Sequence, residues 1–172
     1  MLEDIDLEIR YGRGHWPNLI ADRLTWDVLV PVCSPGLLQT GPALTKPEDL
    51  ANHTLLHVAG YEHGWQHWLR DHGCDKLSLD AGIQFDTLIA AMEVAANGLG
   101  VALARSSLLS SLIPQNRLVM PLKQTTKTDE AFYLVSPKRP EANSDAAKFR
   151  DWILSTAIEE KNGFNFFHGS LS

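Results

Sequence analysis

Between Ile5 and Tyr11 apolar and charged positions alternate, with Ile5, Leu7, Ile9 and Tyr11 set against Asp6, Glu8 and Arg10. That period of two predicts a half-buried strand. Gly12-Arg13-Gly14 ends it in a loop that carries His15, Trp16 and Pro17. Leu24–Val32 reads as a second strand, closed by Ser34-Pro35-Gly36. Thr45-Lys46-Pro47-Glu48 opens a helix, with Thr45 as the cap and Glu48 completing a capping box. Thr54–Val58 is a short buried strand. Trp65, Trp68 and Leu69 share one face of a short helix ending near Gly73.

Farther on, Ser78–Phe85 is a strand, and Asp86 caps a helix over Thr87–Asn97. Leu88, Ala91, Met92 and Ala95 recur in that helix at the spacing of one buried face. Gly98 stops it and Gly100 leads into the strand Val101–Ala104. Ser106–Leu112 predicts a short helix, Leu118–Leu122 a strand fragment and Ala131–Ser136 an apolar strand. The last helix runs over Ala146–Ile158 with Phe149, Trp152, Ile153 and Ala157 inward, and Lys161–Ser172 forms an irregular tail. Strands alternating with helices define an α/β protein.

Composition narrows the function. At 172 residues, 44% hydrophobic and 21% charged, the chain suits one large domain or two small lobes. Its net charge is −6, and no Lys/Arg cluster offers a face to phosphates, so these residues do not bind DNA by themselves. No apolar run approaches the roughly 18 residues of a membrane span. The acidic start MLEDIDLEIR is unlike a secretory signal. Two cysteines, Cys33 and Cys74, make no disulfide framework. A cytoplasmic protein is expected.

Several blocks, in this order, resemble the effector domain of LysR-type transcriptional regulators. They are Asp4-Ile-Asp-Leu-Glu-Ile-Arg-Tyr-Gly12, Val30-Pro-Val-Cys-Ser-Pro35, Pro47-Glu-Asp-Leu50 with His53-Thr-Leu-Leu-His57, and Trp65-x-x-Trp68-Leu69. Phe85-Asp86 through Ala95-Ala96-Asn97-Gly98-Leu99-Gly100-Val101-Ala102-Leu103 is the most specific. Arg10-Tyr11-Gly12 and Trp-x-x-Trp look like the branch that includes glycine-cleavage activators. The resemblance implies a periplasmic-binding-protein-like (type 2) fold of two lobes crossed twice by the chain. It places 1–35 and 106–158 in an incomplete first lobe, 36–105 in the second, and leaves 159–172 as tail. The family's first strand–helix–strand of lobe one, its winged helix-turn-helix and its linker helix have no counterpart in these residues.

The function so implied is the sensing of a small polar or acidic metabolite by a homo-oligomeric regulator, without catalysis, cofactor or membrane. DNA would be bound only through the N-terminal domain that is absent here. Candidate ligand-binding residues lie at strand ends: Tyr11, Gly12, Arg13, His15 and Trp16 in the first loop, Ser34 at a crossover, and Phe85 and Thr87 at a strand-to-helix turn. A ligand is expected between the Gly12–Trp16 loop and the Phe85–Thr87 turn. Asp86 reads as a cap that would repel an anion, and Cys33 as a buried structural thiol. His53, His57, His63, His67 and His72 crowd one stretch. His63 and His67 are spaced for a helical zinc pair, but position 64 is Gly and no shell is completed, so no metal is expected. Two rival functions remain: an extracytoplasmic solute-binding protein of the same fold, and a metalloenzyme built on the histidines.

Overall fold

The computed structural model describes residues 5–79, 82–109 and 116–168, with side chains through Ile158. In chain order its strands are β1 (Glu8–Gly12), β2 (Ile20–Arg23), β3 (Val28–Val32), β4 (Leu55–Val58), β5 (Ile83–Phe85), β6 (Val101–Arg105), β7 (Thr126–Lys127) and β8 (Ala131–Ser136). The α-helices are α1 (Pro35–Thr40), α2 (Trp65–Asp71), α3 (Leu88–Ala96) and α4 (Asp145–His168). Short 3-10 helices span Pro47–Asn52 and Ser106–Leu108. The chain divides into two units, residues 1–27 with 129–172 and residues 28–128. The lobe limits implied by the resemblance, at 35/36 and 105/106, both fall inside the second unit.

Unit 1 is a three-stranded antiparallel sheet in the order β1-β8-β2. Alternation along β8 feeds two faces. Leu134, with Phe132, packs against Leu24, Ile153, Leu154 and Ala157 beneath α4. Ala131, Tyr133 and Val135 pack against Trp16, Leu19 and Ala21 on the other face. An Arg150–Asp22 pair, 2.9 Å apart and mostly shielded, ties α4 to β2.

Unit 2 is a five-stranded sheet in the order β5-β4-β6-β3-β7, parallel from β5 through β6 and antiparallel beyond. On one face Leu29, Leu55, Val101 and Leu103 meet Trp65, Trp68 and Leu69 of α2. On the other, Val30, Leu56, Ala102 and Ala104 meet Leu88, Ala91, Met92 and Ala95 of α3, the stripe read from the sequence.

Several elements differ from expectation. The first strand begins at Glu8, and Ile5 and Ile9 are about half exposed. Of the expected Leu24–Val32 strand only Val28–Val32 forms one, because β2 ends at Arg23, Leu24 serves the unit 1 core and Leu29 that of unit 2. The break at Thr25 is held by local bonds: Leu24 N–H donates to Phe132 O, Phe132 N–H to Thr25 Oγ1, and Arg23 Nε to Thr25 O. Asp49, rather than Glu48, closes the 47–52 turn, its Oδ2 accepting from the Thr45 and Lys46 amides and the Thr45 hydroxyl. Thr87, not Asp86, caps α3. The 78–85 strand keeps only Ile83–Phe85; residues 80 and 81 lie outside the described residues. Of the expected 106–112 helix, the described residues show a 3-10 turn over Ser106–Leu108; 110–115 lie outside the described residues. Leu118–Leu122 contributes one bridge, Val119 to Cys33. The last helix continues to His168, through much of the expected tail, and Phe149 and Trp152 face outward at 45% and 60% exposure.

Candidate functional site

The first loop of candidates belongs to unit 1 and is built on Tyr133. Gly14 takes φ +78°, and a Cβ there would lie 2.6 Å from the Tyr133 ring, so only glycine lets the loop lie flat on β8. Trp16 meets the same ring edge-on at 5.6 Å, and Tyr11 meets Phe132 at 5.1 Å. Gly12 backs onto the Trp16 ring. Arg13 and His15 are exposed, and Arg13 Nε lies 3.6 Å from Asp129 Oδ2 in a solvent-exposed pair. The structure thus gathers Tyr11, Gly12, Arg13, His15 and Trp16 into one surface loop clamped by aromatic contacts.

Phe85, Thr87 and Ser34 belong to unit 2, where the structure separates them. Phe85 packs against the α3 core, and its carbonyl accepts from Ala59 N–H. Thr87 is exposed, and its Oγ1 accepts from Ala90 N–H at 3.3 Å, leaving the hydroxyl proton able to donate outward. Ser34 sits at the far end of the same helix: its N–H donates to Ala95 O and its buried Oγ caps α1 through Leu37 N–H. With a rise of about 1.5 Å per residue, the length of α3 puts Ser34 about 13 Å from Thr87. Ser34 lines instead a shallow hollow with Thr40, Asn97, Asn116 and Arg117. Burial pushes the Cys33 thiol up to about 11, which removes it as a nucleophile near neutral pH.

A cavity of about 580 Å³ at the carboxyl ends of β4 and β6 is lined by residues that the sequence reading did not name as ligand-binding. Leu29, Leu103 and Trp65 supply apolar wall, and His57, Tyr61 and Arg105 supply polar groups. Arg105 is 1% exposed, with its guanidinium carbon 4.2 Å from the centre of the Tyr61 ring. Burial holds the His57 imidazole below its ordinary value, so it is neutral at pH 7. Its Nε2 is buried with no hydrogen-bond partner among the described residues. A Cβ on Gly82 would collide with this ring, so the glycine admits the histidine. The legible trace of this site was Arg105, a charge ending an otherwise apolar strand.

His63, His67 and His72 fasten α2 and its flanks to the 126–128 segment at the edge of the sheet. His72 Nε2 meets Thr126 Oγ1 at 3.1 Å, His67 Nε2 meets Lys127 O at 3.2 Å, and His63 Nδ1 meets Thr128 Oγ1 at 3.1 Å. His63 and His67 do come together, but as stacked rings 4.0 Å apart. No group of three metal-ligating side chains occurs among the described residues.

These features place the chain among effector-binding domains of the periplasmic-binding-protein-like (type 2) fold. The effector domain of AmpR from Pseudomonas aeruginosa superposes with a TM-score of 0.78 at 30% identity, over 94% of this chain and 76% of that one. The AmpR effector-binding domain of Citrobacter freundii gives 0.77 at 26% identity, over 91% and 76%. The LysR substrate binding domain family matches residues 2–157, and the chain belongs to it. It is 39% identical over 166 residues to the glycine cleavage system transcriptional activator of Escherichia coli K12, covering 96% of this chain and 54% of that protein. The Haemophilus influenzae homolog of that activator is 32% identical, over 93% and 52%. The chain spans about half the length of these curated relatives. No helix among the described residues is long and apolar enough to cross a membrane.

Proposed function

We propose that this chain is the effector-sensing part of a LysR-type transcriptional regulator, a cytoplasmic binding module without catalytic activity. The family match over residues 2–157, joined to relatives that are transcriptional regulators, carries the reading. In it, a small polar or acidic metabolite binds, the lobes follow the two units of the fold, and the population shift is passed to a DNA-binding domain in a homo-oligomer. Arg13 meets a ligand carboxylate: its exposed pair with Asp129 is worth under about 1 kcal/mol, so an anion can compete for it. Thr87 donates its hydroxyl and Trp16 offers an aromatic face, with Tyr11, Gly12, His15, Ser34 and Phe85 shaping the surfaces around them.

Calorimetric titration with glycine, the amino acid in the name of the 39% relative, and a panel of small amino and carboxylic acids tests this. Arg13→Ala should weaken binding of whichever compound binds by about tenfold or more. Thr87→Asp keeps an acceptor at the helix cap, so folding survives, but it cannot donate and repels an anion. It too should lose binding. Unchanged affinity in both variants would remove the two loops from the site.

A further inference from the structure

We propose that the unit 2 cavity is a carboxylate-binding pocket, in which Arg105, stacked on Tyr61, holds the carboxylate and His57 hydrogen-bonds a second polar atom of the ligand. The proposal rests on the effector-sensing reading and names a place and a ligand class for it. Its dimensions fit: about 580 Å³ lies within the range of small-molecule pockets, roughly 300–1,000 Å³. Its chemistry fits as well, with apolar walls and a few convergent polar groups. A guanidinium carries five N–H donors in a planar fork, more than one carboxylate accepts, so Arg105 can serve a wall contact and a ligand together. The Tyr61 ring fixes the plane of that fork at 4.2 Å.

His57 supplies the second, independent observation. A buried imidazole nitrogen lacking any partner among the described residues is costly unless something pairs with it; this one lies against Gly82, on a ring whose residue lines the cavity. Gly82 is not there for its backbone angle; it makes room for the ring. The titratable and charged groups that line the cavity with His57 are Tyr61, Glu62 and His63 from the β4–α2 loop and Arg105 from β6, while β5 contributes the uncharged Gly82 and Gln84. An anion placed among them favours the imidazolium form of His57. Binding should therefore take up a proton and tighten as pH falls below 7.

Benzoate, with benzamide as its uncharged counterpart, probes the site in the full chain. The reporter is the Trp65 indole N–H, which donates to Leu56 O at 3.0 Å in the cavity wall. Benzoate should shift its NMR resonance saturably, and benzamide should not. Arg105→Gln should cut the affinity about tenfold or more. Should that buried substitution unfold the chain, Tyr61→Leu, at a half-buried position, should still weaken binding about three- to fivefold by removing the stacking partner. His57→Gln should flatten the pH dependence. Equal binding of both probes, or a benzoate response that spares Trp65 and ignores both Tyr61→Leu and His57→Gln, would overturn the pocket. Such a result would leave the sensing reading standing, since that reading is judged by Arg13→Ala and Thr87→Asp.

Discussion

At the scale of residues, the loop that carries Arg13 is positioned by a glycine rather than by polar contacts. Gly14 combines a left-handed φ with contact against Tyr133, so Gly14→Ala meets backbone strain and an aromatic ring at once. It should destabilise the chain by about 2 kcal/mol or more, read as a lower urea midpoint at unchanged slope. The sequence made this loop legible because two glycines flank an arginine after an alternating strand. The Arg105–Tyr61–His57 grouping was not legible, since residues 57, 61 and 105 come together only through the parallel pairing of β4 with β6. Thr87 shows a finer limit. Asp86 and Thr87 are both good caps, and only the backbone decides between them: Thr87 holds the extended conformation of a cap at φ −133° and ψ 146°.

At the scale of elements, α4 shows what a helical pattern can and cannot reveal. Its existence and start were readable from Asn143-Ser144-Asp145, and Ser144 Oγ does accept from Ala147 N–H. Its inward face was half right. Ile153 and Ala157 pack on β8, whereas Phe149 and Trp152 face out and touch each other. The neighbouring Arg150 carries the polar anchor to Asp22. Arg150→Ala should therefore cost about 1 kcal/mol, because the pair is largely shielded, while Trp152→Gln should change stability by less than about 0.5 kcal/mol. Thermal unfolding of the two variants separates the outward placement from an inward one. Pattern reading succeeded best in α3, where helix and sheet demand the same four buried positions. It failed at 24–32, where one apolar run serves two cores.

At the scale of the whole molecule, the net charge of −6 disfavours direct contact between these residues and the phosphates of DNA. Among the described residues the unit 1 sheet ends at β1, an edge with Ile9 about half exposed. Such an edge invites pairing with a second copy. A chain of these 172 residues should self-associate at tens of micromolar, about the range where exposed edges begin to associate, and Ile9→Lys should shift it toward monomer in light scattering. Unit 1 also encloses unit 2 in sequence, since the chain leaves it after Asp27 and returns at Asp129. Both β1 and β2 take their hydrogen bonds from β8, the last strand among the described residues. On a translating ribosome the first two strands must therefore wait, unpaired, until about a hundred further residues have emerged. Unit 2, with its sheet and both of its cores already complete, therefore folds before the sheet of unit 1 can close.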